Sequence, residues 1–119
     1  MSTVLQSSNA LFRRKYPRRQ FRRKLGVLIE GRYWMGNGVE IGEGGVSFLL
    51  GQNLADGKHI VLNFQIPGGG FISVQGEVKN IRKQQASGLY TYGISFRTLK
   101  FESKREIRAY VSARQETEN

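Results

Sequence analysis

The 119-residue chain contains no cysteine and a single histidine, His59. The first absence excludes a disulfide framework, a thiolate metal site and a cysteine nucleophile. The second leaves His59 as the lone candidate for a histidine-based triad, and no motif around it supports one. No apolar run approaches the roughly 18 residues that a membrane-crossing helix needs. The N-terminus also lacks the apolar stretch of a signal peptide. Acidic residues are scarce, nine Asp plus Glu against nineteen Lys plus Arg, for a formal net charge of +10. A chain of this length builds one modest core and not a two-domain enzyme. The expectation is a soluble, cytoplasmic, single-domain binding protein without a metal and without membrane insertion.

The positive charge is concentrated at the front. Residues 1–24 carry Arg13, Arg14, Lys15, Arg18, Arg19, Arg22, Arg23 and Lys24 and no acid. The other eleven basic residues face all nine acidic ones, so the rest of the chain is nearly neutral. Such an arm draws anionic partners towards it. Its six arginines outnumber its two lysines, and a guanidinium forks onto phosphate and stacks on flat rings where an ammonium is a point charge. Tyr16, Pro17 and Phe21 interrupt the run, which a purely solvating tail does not need.

Residues 1–12 read as a flexible leader. From Leu25 the pattern alternates with period two, as half-buried strands do. Val27 and Ile29, with Gly31, share a face that Val39 and Ile41 resume after a break at Gly36-Asn37-Gly38. Val46, Phe48 and Leu50 follow, then Ile60, Leu62, Phe64 and Ile66, then Ile72, Val74, Gly76 and Val78, and finally Tyr90, Tyr92, Ile94 and Phe96. Glu30-Gly31, Gly44-Gly45, Ala55-Asp56-Gly57, Pro67-Gly68-Gly69-Gly70 and Ala86-Ser87-Gly88 punctuate the runs as turns. Short strands at this spacing predict a mainly β protein, a small antiparallel barrel or sandwich of about six strands. Pro67 and its three glycines read as a hairpin loop, since no Lys-Ser/Thr follows as a phosphate loop requires. Trp34 reads as a barrel or rim packing residue. Glu40 and Glu43 read as turn acids facing water and not as a catalytic pair. The tail changes period: Ile107, Tyr110, Val111 and Arg114 predict a helix over 101–115 that covers the barrel. Ser103 and Glu106 have the spacing of a capping box.

An arginine-rich lead segment, a glycine-rich turn closing an early strand, a small barrel and a terminal helix together resemble the PilZ domain, a family of bacterial receptors for cyclic di-GMP. Arg14-Lys15-Tyr16-Pro17-Arg18 matches the family's RxxxR segment, which Arg18/Arg22 and Arg19/Arg23 also satisfy. Glu40-Ile41-Gly42-Glu43-Gly44-Gly45 occupies the place of its [DN]xSxxG turn. Gly45 matches the closing glycine, Glu40 replaces the acid or amide, and Gly42 replaces the serine. The resemblance spans residues 13–115. It implies a ligand-binding arm over 13–24, a barrel over 25–98 and the helix over 101–115.

The resemblance further implies that Arg14, Arg18, Arg19, Glu40, Gly42 and Gly45 bind cyclic di-GMP. Pro17 holds Tyr16 extended, and four extended residues reach roughly 13 Å, so Arg14 and Arg18 can serve different parts of one dinucleotide. An arginine donates two bonds to guanine O6 and N7 or forks onto phosphate, with Arg19 a third cation. Glu40 would accept bonds from N1–H and the 2-amino group on the opposite guanine edge. The expected function is a non-enzymatic second-messenger receptor whose flexible arm orders over the ligand and changes the surface shown to an effector protein. The alternatives are a degenerate PilZ adaptor that has lost the ligand and a small basic nucleic-acid binder using Tyr33 and Trp34. DNA is not the expected partner.

Overall fold

The structure is a computed structural model that describes residues 17–117, with side chains described to Ala113. Arg14, Tyr16 and the leader 1–12 therefore lie outside the described residues. Seven strands precede one helix: β1 (Arg18–Gln20), β2 (Lys24–Ile29), β3 (Arg32–Gly42), β4 (Gly45–Leu50), β5 (His59–Gln65), β6 (Phe71–Lys83), β7 (Tyr90–Thr98) and α1 (Phe101–Thr117). β2, β5, β6, β7, β4 and β3 pair in that order, and β3 returns to β2, which closes a six-stranded barrel. Every pairing is antiparallel. β1 is an addition to the ring, paired only with the end of β3.

The barrel interior is filled by the alternating apolar residues of the strands. Val27, Phe48, Leu62, Val78 and Tyr92 are completely covered. Along β5, Ile60, Leu62 and Phe64 point inward while His59 and Gln65 lie exposed at its ends. Full closure removes the free strand edges that an open sheet would offer to other chains. The β2–β3 hairpin turns at Glu30 and Gly31, both with positive φ (49° and 81°). That pair of left-handed residues matches the twist of the strands it joins.

Two expectations about the strands are corrected here. The Gly36-Asn37-Gly38 stretch is not a break, because β3 runs through it and pairs with β2 over Arg32–Asn37. The period is interrupted one residue later. The β3–β4 register shifts between Gly38 and Glu40, which leaves Val39 as the extra residue of a bulge. Val39 is exposed and Ile41 buried, so the two do not share a face. A bulge changes which residues face the core beyond it. The second correction concerns the arm. Residues 18–20 are a strand rather than a flexible segment, and Phe21 is fully buried. Phe21 packs edge-on against Phe64, with ring centroids 5.5 Å apart. An apolar side chain of this size prefers the core strongly enough to hold its charged neighbours against the barrel.

α1 covers one end of the barrel with Ile107 and Val111, both buried, and with Tyr110, which packs against the core. The side chain of Arg114 lies outside the described residues. The capping box does not form, because the helix begins at Phe101 and Ser103 is already its third residue. Glu106 instead accepts a 2.9 Å bond from the Gly70 amide, tying the helix to the β5–β6 hairpin. No helix among the described residues is long and apolar enough to cross a membrane.

Tyr92 pins the β4–β5 connection from inside the barrel. Its hydroxyl donates to the Gln52 carbonyl at 2.6 Å and accepts from the Leu54 amide at 2.7 Å. Burial raises its pKa above the usual tyrosine value, so the hydroxyl keeps its proton. Tyr92→Phe leaves the Leu54 amide without its partner in a buried setting, at a cost of about 1–3 kcal/mol. Urea unfolding should show a lower midpoint with an unchanged slope.

Candidate functional site

The site is built where β1 lies along the end of β3. Arg18 pairs with Gly42, Arg19 with Ile41 and Gln20 with Glu40 in the ladder. This register puts the Arg18 and Glu40 side chains next to each other, with Arg18 Nη1 3.5 Å from Glu40 Oε1. Both side chains are partly exposed, so the pair is screened by solvent and is a weak stabiliser. It leaves a cation and an acceptor side by side at the surface.

Gly42 explains itself in this arrangement. A Cβ at this position would lie 2.9 Å from the Pro17 carbonyl oxygen and 3.2 Å from Arg18 Cγ. The serine of the family motif would need β1 to step back, so the glycine and the close seat of β1 belong together. Gly45 lies beyond the turn, where a Cβ would come within 2.0 Å of the Ile94 carbonyl oxygen. Its role in this geometry is to let β4 pair closely with β7.

Arg19 is directed elsewhere. Its Nη1 donates to the Tyr110 carbonyl at 2.9 Å, and its guanidinium carbon lies 4.1 Å from the centre of the Tyr110 ring. Tyr110 in turn donates its hydroxyl proton to the Gln20 carbonyl at 2.7 Å. Of the residues singled out in the sequence, the fold thus gathers Arg18, Glu40 and Gly42. Gly45 stands at the far end of the same turn, Arg19 is held by the helix, and Arg14 lies outside the described residues.

Two features escaped the sequence. The first is Glu43, which does not face water: its side chain is only 12% exposed. Arg108 forks onto it, Nε to Oε2 at 3.0 Å and Nη2 to Oε1 at 3.0 Å. No local signal announces a contact between residues 65 positions apart. The second is a groove of about 640 Å³ lined by Arg22, Arg23, Lys24 and Asn37 together with Val39, Glu40 and Leu49. In the sequence Arg22 and Arg23 stood in the basic arm and as further RxxxR matches, with no signal that they border a groove.

The profile of the PilZ domain matches residues 12–113 of this chain. Among solved structures, the chain resembles the Bacillus subtilis inhibitor of motility, MotI/DgrA, with a TM-score of 0.81 at 17% identity over 89% of this chain and 53% of that one. It also resembles YcgR of Escherichia coli in complex with c-di-GMP, with a TM-score of 0.71 at 14% identity over 87% of this chain and 46% of that one. The PilZ domain of YcgR with c-di-GMP gives a TM-score of 0.67 at 14% identity, covering 90% of this chain and 98% of that one. This chain therefore spans about half the length of MotI and of whole YcgR. No curated protein sequence matches it.

The Glu43–Arg108 fork sets a pH dependence. The hydrogen bonds from Arg108 hold the Glu43 carboxyl below its ordinary value, against an opposing effect of burial. A carboxylate with a lowered folded-state pKa stabilises the fold in full above its ordinary value of about 4.3. That contribution is lost as the pH falls from there through the lowered value. Arg108 is well exposed, so the expected size is a few tenths to about 1 kcal/mol. Thermal melts at descending pH should show this acid loss in the native chain and not in Glu43→Gln, which is less stable at neutral pH by the same amount. The matched profile over residues 12–113, together with the closed barrel and its added strand, establishes that this chain belongs to the PilZ domain family.

Proposed function

We propose that this protein is a cytoplasmic receptor for cyclic di-GMP without catalytic activity, and that it passes the signal to an effector protein by contact. The observation that carries this reading is the juxtaposition of Arg18 and Glu40 beside Gly42. A guanine presents O6 and N7 acceptors on one edge, which a guanidinium matches. On another edge it presents the N1–H and 2-amino donors, which a carboxylate matches. The ion pair is then a placeholder: a guanine replaces each charged group as the other's partner. Because both groups are partly exposed, separating them costs little.

In this reading Arg14 and Arg18 contact phosphate and guanine, Glu40 reads the guanine edge, and Gly42 and Gly45 shape the turn. Arg19 serves the site through Tyr110, whose hydroxyl and carbonyl fasten β1 to the helix. Arg18–Gln20 already hold their places as a strand. The ligand-ordered part of the arm that the sequence suggests therefore does not include Arg18–Gln20. That c-di-GMP is bound in the YcgR structures supports this choice of ligand.

Isothermal titration with cyclic di-GMP, with GTP and cyclic di-AMP as controls, tests the reading. Selective binding and a ligand-dependent rise in melting temperature are expected. Arg18→Ala and Arg14→Ala should each weaken binding at least tenfold, the size expected for losing a charge-assisted bond. Arg19→Ala should lower the melting temperature while changing affinity much less. Absence of heat and of stabilisation, from a folded protein, would make the chain a degenerate PilZ adaptor instead.

A further inference from the structure

The outer face of the β2–β3 hairpin has a composition that neither the barrel nor the dinucleotide site accounts for. Its ladder joins Lys24 to Asn37, Gly26 to Met35 and Leu28 to Tyr33. The intervening residues Leu25, Val27 and Ile29 are buried, so these three pairs share the outward face. Tyr33 is 57% exposed, Met35 53% and Leu28 37%. Tyr33 lies across its neighbouring strand: a Cβ at Gly26 would come within 1.9 Å of the phenol oxygen. The bare glycine gives the ring a seat, and the ring and Met35 are both exposed on this face. Val61 of β5 extends it, opposite Leu28.

The other end of the same face is cationic. Lys24 donates to the Asn37 side-chain oxygen Oδ1, and Arg22 to the Gln20 side chain. Among the described residues no carboxylate lies within ion-pair distance of Arg22, Arg23 or Lys24. These three line the 640 Å³ groove with Val39, Leu49 and Glu40, the last already paired with Arg18. The nearest acids along the two strands are already held, Glu30 by Lys58 and Glu40 by Arg18. From Lys24 to Leu28 the strand rises about 13 Å, so the charged and apolar ends fit one short segment of another protein.

We propose that this face is the docking surface for an acidic, apolar protein segment, whose carboxylates enter the groove at Arg22, Arg23 and Lys24 and whose apolar side chains cover Leu28, Tyr33 and Met35. Charge complementarity selects this occupant. A second copy of a +10 chain brings to the groove from this face only Glu40, which Arg18 already holds. A nucleic-acid strand needs cations along its track, and half of this face has none. Tyr and Met are enriched at protein interfaces, and contiguous exposed apolar side chains mark them. The groove shares Glu40 with the candidate dinucleotide site, but the proposal goes beyond that reading and does not depend on it.

The test places the photoreactive residue p-benzoylphenylalanine at Met35 of the full chain, which is irradiated in its own host; the same residue at Phe101, also exposed, is the control. The expected adduct is a protein segment with at least two carboxylates beside apolar residues. Its purified complex should weaken at least tenfold on Lys24→Glu, and a lysine in place of the partner's acid should restore it. Circular dichroism and cyclic di-GMP titration of Lys24→Glu separate this outcome from unfolding and from failure of the dinucleotide reading. An adduct with a second copy, a nucleic acid or a lipid overturns the proposal. So does a partner segment without acids, an affinity indifferent to Lys24→Glu, or a yield no higher than the control.

Discussion

The charged half of the molecule hangs on one apolar side chain. Phe21 is fully buried, edge-on to Phe64 and to Tyr110 at centroid distances of 5.5 and 6.2 Å. Burying such a side chain is worth about 1.5–3 kcal/mol, more than the exposed ion pairs around it supply. With Phe21 inside, Arg18–Gln20 must run beside the end of β3 and Lys24 must begin β2. The arm is thereby divided. Arg18 meets Glu40, Arg19 meets the helix, and Arg22, Arg23 and Lys24 border the groove.

β3 makes this division possible by serving several neighbours. On one edge its first half pairs with β2 and its last residues with β1, and on the other Asn37–Ile41 pair with β4. β1 and β2 therefore follow one another along the same edge, with Phe21 at the gap. Backbone bonds from Phe21 to Val39 and from Gly38 to Arg23, at 2.9 and 2.8 Å, close that gap. Gly38 permits it, because a Cβ there would lie 2.3 Å from the Phe21 carbonyl oxygen. The bulge at Val39 then returns Ile41 to the core.

The helix is tied to the elements around the candidate site. Tyr110 holds Arg19 and Gln20 of β1, Arg108 holds Glu43 in the turn after β3, and Glu106 holds the β5–β6 hairpin. Ile107 and Val111 supply the apolar part of the same attachment. A change in the seating of β1 therefore bears directly on the helix through short, directional contacts.

The alternating pattern, the turn residues and the helical period were legible because each depends on neighbours in the chain. They determined a mainly β barrel with a terminal helix, and the order of the parts determined the family. The Arg14–Arg18 spacing and the glycine-rich turn also stood in the sequence. The continuous β3, the bulge at Val39 and the strand within the arm did not, since each is imposed by a partner strand or by the core. Which arginine meets which acid was likewise undecided. Arg18 and Arg19 are adjacent and chemically identical, yet successive strand residues point to opposite faces. Only the register of β1 against β3 sends one to Glu40 and the other to Tyr110, because side-chain direction is local but what waits in that direction comes from distant chain.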